Sequence, residues 1–585
     1  MVKAPLPHIF GFLVFLGFFA HLPDLGGDTP TRLLFSWTIL FALIGFFALR
    51  AMARPSWEIA LPVGVALTLG PAFFLLLGAV GHAEDMSFAW TPALFITALA
   101  ALFIVVHNAA LSADDFDAMA SFAVLTQALL LLGAAEFPLL ASLPGPLGWP
   151  SAQVMVFGGY WQVNLMANII ACLSLWCLWQ TVHAPRQTWL MRGRGFCAFI
   201  LFPLVIGWSN SFSGLLFFIL GVLLMGLTIR RFDAASRRRF FALAAVMLSA
   251  LLIGHLGVGT DAATDAIDKA QASSIPSRLG IWLRALYAFG EAPFWGHGLG
   301  RFAEIYNDVA LRYDDTQAFV WIANTRHAHN IVLHLLVEIG LIGTFLVLAP
   351  FVWFGITLLR RAPHHWATLA MLTPLLGHMM VEYPHRQSAV PVILLVVISC
   401  QMMRAYGGGI SYDMSLTAVG KRLRVALAAA LLLPAMAGSV KTAFDYKTAS
   451  ARHLRLAQTA YHPELIEWRL AQPDLRHPFL GANMRNQAYF GTATIAVAAR
   501  DKAVLPPLLA QLSKREAKEL RGLPTWRVLF MGYLLTGEFD EAQRIYNIAA
   551  TLSSAQAARL LADTAQQLTP ESRPLLQNFK RNFDD

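Results

Sequence analysis

The chain has 585 residues, of which 57% are hydrophobic and 14% charged, with a mean hydropathy of +0.56. Soluble domains carry about a quarter charged residues, so this composition excludes an ordinary water-soluble protein and points to a membrane-embedded one. The formal net charge of +9 does not imply nucleic-acid binding, because its clusters fall in short loops between apolar runs, where Lys and Arg set membrane orientation.

Apolar runs long enough to cross a bilayer as helices recur along the chain. About thirteen spans are predicted by hydropathy, near 8–23, 32–52, 57–80, 89–109, 116–139, 163–182, 195–208, 212–229, 240–258, 331–359, 366–381, 388–405 and 424–443. The first follows Lys3 closely and lacks a small-residue cleavage site, so it reads as a signal anchor. Cys172, Cys177, Cys197 and Cys400 all sit in apolar segments and are read as small core residues rather than disulfides or metal ligands.

Basic residues fall in alternate loops: Arg50 and Arg54, then Arg186, Arg192 and Arg194, then Arg230, Arg231, Arg237, Arg238 and Arg239. Arg360, Arg361, Arg404, Lys421, Arg422 and Arg424 continue the series. All share one side if the amino terminus is cytoplasmic. The loop with Asp114, Asp115 and Asp117 lacks the positive signal, but acids contribute little to that rule. The opposite, outer face then receives the 140–162 loop, the long 259–330 loop, the turn Glu382-Tyr383-Pro384-His385-Arg386 and everything after the last span. The setting implied is a Gram-negative inner membrane with these segments in the periplasm.

From residue 444 the composition changes to that of a solvated, mixed-charge helical domain. Tyr533 to Ala542, with Gly537 and acids at a turn, has the form of a tetratricopeptide-type hairpin. The expected fold is therefore all-α. Residues 1–443 form a polytopic membrane helix bundle with the 259–330 loop outside, and 444–585 form a periplasmic helical domain. No inverted internal repeat is evident, which speaks against a transporter.

Polar residues on the outer face are the candidates for function, since such groups beside hydrocarbon are costly unless satisfied or used. Arg326-His327-Ala328-His329-Asn330 stands at the start of a long apolar helix that carries Glu338. Gln162 and Asn164 sit where one loop re-enters the bilayer, and Arg278 lies on an amphipathic helix with Trp282 four positions later. Gly296, Gly298 and Gly300 mark a tight turn, and Tyr383 and Arg386 close the set. On a helix, His327 and His329 would face different ways, leaving one for a shared site. His-x-His can bind a metal, but no third ligand is specified, and none is assigned. For Glu338, a hydrogen bond to a neighbouring helix competes with a catalytic role.

Amides, imidazoles, a phenol and guanidiniums on one membrane face suit a lipid-linked anionic substrate. Arginine forks match pyrophosphate oxygens, and an imidazole can take a proton from a hydroxyl near neutral pH. Departure of a lipid pyrophosphate needs charge neutralisation, which arginines can supply in place of a metal ion.

The segment His327-Ala328-His329-Asn330 through Glu338, Gly340 and Gly343 resembles the signature of the O-antigen ligase/polymerase superfamily. Arg278, Trp282, Pro293, Gly296, Gly298 and Gly300 resemble the upstream part of the same domain, so the likeness covers roughly residues 210–360. Gly159-Tyr160-Trp161-Gln162-Val163-Asn164 and Glu382-Tyr383-Pro384 are similar to motifs of bacterial protein O-oligosaccharyltransferases of the PglL type. The resemblance implies a metal-independent and cofactor-independent glycosyltransferase. It would move an oligosaccharide from undecaprenyl pyrophosphate to Ser or Thr of a pilin or other periplasmic protein. Catalytic roles are implied for His329, Gln162 and Tyr383. Substrate-binding roles follow for Arg278, Arg386, His327, Asn164, Arg326 and Asn330. Relatives that pass the glycan to lipid A core are the nearest alternative, a lipid-glycan transporter a more distant one. Family members often carry a Ser-Arg pair where this chain has Ser209-Asn210-Ser211-Phe212-Ser213-Gly214, so the arginines that hold pyrophosphate must lie elsewhere.

Overall fold

Among the residues it describes, the computed structural model is helical almost throughout the apolar sequence, as a backbone in hydrocarbon must satisfy its own N–H and C=O groups. The structure describes residues 30–51, 57–83, 86–109, 111–136, 163–183, 189–209, 211–256, 274–312, 325, 327–361, 364–382, 390–405, 411–414, 481–519, 523–552 and 554–584.

The membrane-type helices are α1 (Pro30–Ala51), α2 (Leu61–Ala79), α3 (Met86–Asn108), α4 (Ala113–Glu136) and α5 (Val163–His183). They continue with α6 (Trp189–Phe196), a π-turn at Cys197–Leu201, α7 (Phe202–Trp208), α8 (Phe212–Ile229) and α9 (Ala234–Leu256). Next come α10 (Ser274–Glu291), α11 (Phe302–Arg312), α12 (Ile331–Arg361), α13 (His365–Met379) and α14 (Val390–Ala405). Finally α15 (Gly481–Ala499), α16 (Leu505–Glu519), α17 (Leu523–Thr536), α18 (Phe539–Leu552), α19 (Ser554–Gln567) and α20 (Arg573–Asp584) complete the order. Their bounds follow the hydropathy spans within several residues. The spans at 8–23 and 424–443 lie outside the described residues.

Among the described residues, six helices are long and apolar enough to cross a membrane: Pro62–Ala79, Phe88–Asn108, Val163–His183, Phe212–Ile229, Ala234–Leu256 and Ile331–Thr357. The protein is a multi-pass membrane protein of the all-α class. One small exception corrects the sequence reading: Trp57–Ala60, counted there as the start of a span, is a strand (β1) paired antiparallel with Ser411–Met414 (β2), Trp57 opposite Met414. Hydropathy does not register such a pairing because the partner lies far away in sequence.

The chain divides into two compact units: Met1–Phe73, Pro92–Ala272 and Phe345–Ala443 in one, Phe74–Thr91, Ser273–Thr344 and Phe444–Asp585 in the other. The first is organised around α5, which is buried over nearly its whole length. Trp176 at its middle donates to Gln401 Oε1 of α14 at 2.7 Å. Small residues let neighbouring helices approach closely. A Cβ on Gly207 of α7 would sit 2.1 Å from Leu251 O, and one on Gly254 of α9 would sit 2.1 Å from Leu204 O. Arg50 donates to Asp115 at 3.1 Å and the buried Arg194 to Asp117 at 2.6 Å. The acidic loop that lacked a positive signal thus supplies the counter-ions for residues of two basic loops.

In the second unit, the hairpin expected at 533–542 is the junction of α17 and α18, turned at Gly537 with φ +83°. It belongs to a longer series: α15 to α19 pack in succession, with α20 against α17, around Trp526, Phe530, Leu509, Ile545, Leu560 and Phe579. A second cluster joins α10 and α11 to the start of α12 through Ile281, Ala285, Phe302, Tyr306, Ala328 and Val337. Within this unit α11 also packs on α16, tying the segment between α9 and α12 to the carboxyl-terminal helices.

Candidate active site

The helix that follows the histidine pair is broken. Gly340 has φ +65° and ψ −172°, a conformation essentially confined to glycine, and it interrupts α12 three turns from its start. The strap Pro293–Gly300 fills the break. His297 N donates to Val337 O at 2.9 Å and Gly298 N to Glu338 O at 2.8 Å. In return Leu341 N donates to Pro293 O at 2.8 Å and Ile342 N to Phe294 O at 3.2 Å. Carbonyls and N–H groups left open by the break are thereby satisfied. The approach requires glycine on both sides. A Cβ on Gly296 would lie 2.5 Å from Gly340 N, and one on Gly340 would lie 2.3 Å from Phe294 O.

Glu338 completes this clasp. Its Oε1 accepts from Gly300 N at 3.1 Å and Phe302 N at 3.4 Å, at the amino end of α11, with His334 Nε2 at 3.4 Å. A carboxylate at a helix amino terminus is favourable both as an acceptor and against the helix dipole. Glu338 therefore braces the strap and α11, with only 7% of its surface exposed.

Asn330 caps α12. Its Oδ1 accepts from Val332 N and Leu333 N, both at 3.0 Å, and its carbonyl accepts from His334 N. The residue before the cap, His329, has φ +47°, one of two non-glycine residues in the left-handed region among those described. The His327 and His329 rings lie 4.7 Å apart, and Ala328 between them points into the α10–α11 core. This corrects the expectation of divergent faces: the pair sits in a turn ahead of the helix, where helical spacing does not apply. Both histidines are half-buried.

Arg278 is half-buried on α10. Asn164 belongs to the other unit, where its Oδ1 accepts from Ser211 Oγ at 2.6 Å. Ser211 in turn caps α8, accepting from Gly214 N at 3.2 Å. Asn164 thus holds the turn at Ser211 that starts α8. Gln162, Arg326, Tyr383 and Arg386 lie outside the described residues.

Sequence reasoning missed Arg284. It is fully buried on α10, donates to Tyr306 OH at 3.0 Å, and lies 5.8 Å from the centre of that ring. Tyr306 also bonds Thr325, two residues before His327; burial pushes its phenol pKa up, and Arg284 and the hydrogen bonds oppose that shift. A line of polar contacts therefore runs from α10 through α11 to the histidine turn. The available signal was the spacing of Ile281, Arg284, Ala285 and Ala288, which places an arginine on the small-residue face of the helix.

No curated protein and no solved structure matches the chain. The family model described as O-antigen ligase (Wzy_C) matches residues 197–348, a stretch that includes α10, the strap, the histidine turn and the helix break. Over this stretch the chain is similar to an O-antigen ligase domain, in line with the likeness seen in its motifs.

Proposed function

We propose that the protein is an oligosaccharyltransferase working at the periplasmic face of a bacterial inner membrane. Its donor is an undecaprenyl-pyrophosphate-linked glycan and its acceptor a Ser or Thr hydroxyl of a pilin or other exported protein. The observation that carries this reading is the histidine turn. His329 is held in a left-handed conformation, directly before a capped helix, inside the segment that matches the O-antigen ligase model. Unfavourable backbone conformations persist where the surroundings enforce them, and they concentrate at functional sites.

In this mechanism His329 takes the proton of the acceptor hydroxyl as its oxygen attacks the anomeric carbon. The new C–O bond forms while the bond from that carbon to the pyrophosphate oxygen breaks. The lipid pyrophosphate leaves with the electron pair, its charge met by Arg278 and Arg386. His327, Asn164 and Arg326 serve donor binding, Gln162 and Tyr383 position the reactants, and Asn330 fixes His329 through its cap. Pyrophosphate is a weak base, so no acid is needed at the leaving oxygen, and the arginines carry the electrostatic stabilisation.

The matched model's description favours one second reading, transfer of the same glycan to a lipid A core sugar. A deletion strain separates the two. Loss of glycan from pilin-like proteins with intact lipopolysaccharide supports protein glycosylation; loss of O-antigen with unchanged glycoproteins supports the ligase reading.

A further inference from the structure

Helix α10 is apolar on both its buried and its exposed face, and its one fully buried charge is an arginine. Its buried face carries Ile281 at 1% exposure with Arg284, Ala285 and Ala288 at 0%, while Leu279, Leu286 and Tyr287 are 44%, 49% and 41% exposed. Beyond Glu291, which is paired with Arg312 at 2.9 Å, apolar exposure resumes in the strap, where Phe294 and Trp295 are 60% and 64% exposed. A helix in water turns its leucines inward and its arginine out. The reverse arrangement is that of a surface facing hydrocarbon.

The neighbours of this stripe agree. Phe294 O accepts from Ile342 N and Pro293 O from Leu341 N. Leu341 and Ile342 are 51% and 37% exposed and belong to the Ile331–Thr357 candidate span. On the other side Trp295 O is bonded to His82 Nε2 at 2.9 Å, and Leu299 N donates to His82 O at 3.1 Å. His82 follows the Pro62–Ala79 candidate span, whose end carries Leu76 and, just beyond it, Val80, 59% and 65% exposed. The strap is thus fastened by its backbone to two spans at places where those spans show apolar side chains outward.

Irregular backbone enters a bilayer only when its polar groups find partners within the protein. The strap meets that demand to an unusual degree. Pro293 O, Phe294 O, Trp295 O, Gly296 N, His297 N, Gly298 N and Leu299 N are all hydrogen-bonded, and His297 Nε2 is bonded to Ala288 O. Together with its exposed Phe and Trp, this suits a segment that leaves water.

We infer that the exposed face of α10 and the Phe294–Trp295 tip of the strap are embedded in the outer leaflet of the membrane, in contact with lipid acyl chains. The 259–330 region is then not a wholly aqueous loop: its segment 274–300 is a re-entrant element. Arg284 stays inside, bonded to Tyr306, because the outward side offers it no water. The inference stands apart from the assigned reaction, since it concerns only where this surface sits.

Site-directed spin labelling tests it. The full-length chain, with the buried Cys172, Cys177, Cys197 and Cys400 replaced by alanine, is labelled separately at Leu286→Cys, Phe294→Cys and Trp295→Cys. Each is reconstituted in nanodiscs of phosphatidylethanolamine and phosphatidylglycerol. Leu346→Cys on the α12 span serves as lipid control and the exposed Lys502→Cys as water control. The expected result is relaxation by oxygen well above relaxation by a water-soluble nickel chelate at all three sites, as at Leu346. Nickel accessibility equal to that at Lys502 would overturn the inference, and so would low accessibility to both reagents, which would mean protein covers the face. Three independent positions keep the test decisive if one variant fails to fold.

Discussion

Replacing Gly340 by alanine tests whether the break in α12 is enforced by the strap. At φ +65° and ψ −172° an alanine backbone is strained by about 1–3 kcal/mol. Its Cβ would also sit 2.3 Å from Phe294 O, and forcing backbone apart in a packed interior costs about 1–3 kcal/mol more. The total is about 2–6 kcal/mol. The control lies on the same helix: a Cβ on Gly355 meets nothing within 4 Å, and its φ is not positive. Gly355→Ala should therefore be neutral or stabilising by about 0.5–1 kcal/mol, the usual helical gain. Unfolding of both variants in mild detergent, followed by tryptophan fluorescence during SDS titration, measures the difference. The same substitution on the same helix should move stability in opposite directions. If Gly340→Ala unfolds at the wild-type midpoint, or if Gly355→Ala is the less stable of the two, the account of the clasp is wrong.

Three further outcomes are expected. His329→Gly should raise stability by about 1 kcal/mol, because the left-handed backbone is no longer strained, while glycan transfer is lost; a thermal shift assay beside a transfer assay reads both. Asn330→Ala should lower stability by about 1 kcal/mol through loss of the cap, with Asn330→Asp retaining most of it, as the same unfolding titration would show. Transfer by the reconstituted protein should be unchanged by EDTA, measured as initial rate with and without the chelator; a loss restored by added divalent metal would contradict the arginine-based chemistry.

Much of the bundle was legible because a membrane span has few ways to satisfy its backbone, and hydropathy alone marks it. The limits are equally physical. The break at Gly340 was invisible because a glycine inside an apolar run does not disclose its dihedral angles; only the partner strap, some forty residues upstream, explains it. Gly296, Gly298 and Gly300 read correctly as turn residues, with φ of +72°, +109° and +81°, but the sequence could not say that the turn plugs a helix. The relation of His327 to His329 was misjudged by extending helical geometry past the cap at Asn330. Arg284 was overlooked because an amphipathic pattern has two faces, and the solvent assumed decides which is inside. In the first unit, Arg50 and Arg194 were read as topology signals, and their pairing with Asp115 and Asp117 adds a structural use that loop charge counts do not reveal.

The most direct test of the central claim is transfer by the purified chain, reconstituted with undecaprenyl-pyrophosphate-linked glycan and a pilin-like acceptor, followed by mass spectrometry of the acceptor peptides. Wild-type protein should yield glycan on Ser or Thr. His329→Ala, inserted and folded as judged by its unfolding midpoint, should yield none. Equal glycosylation by His329→Ala would contradict the assignment of His329 as the base.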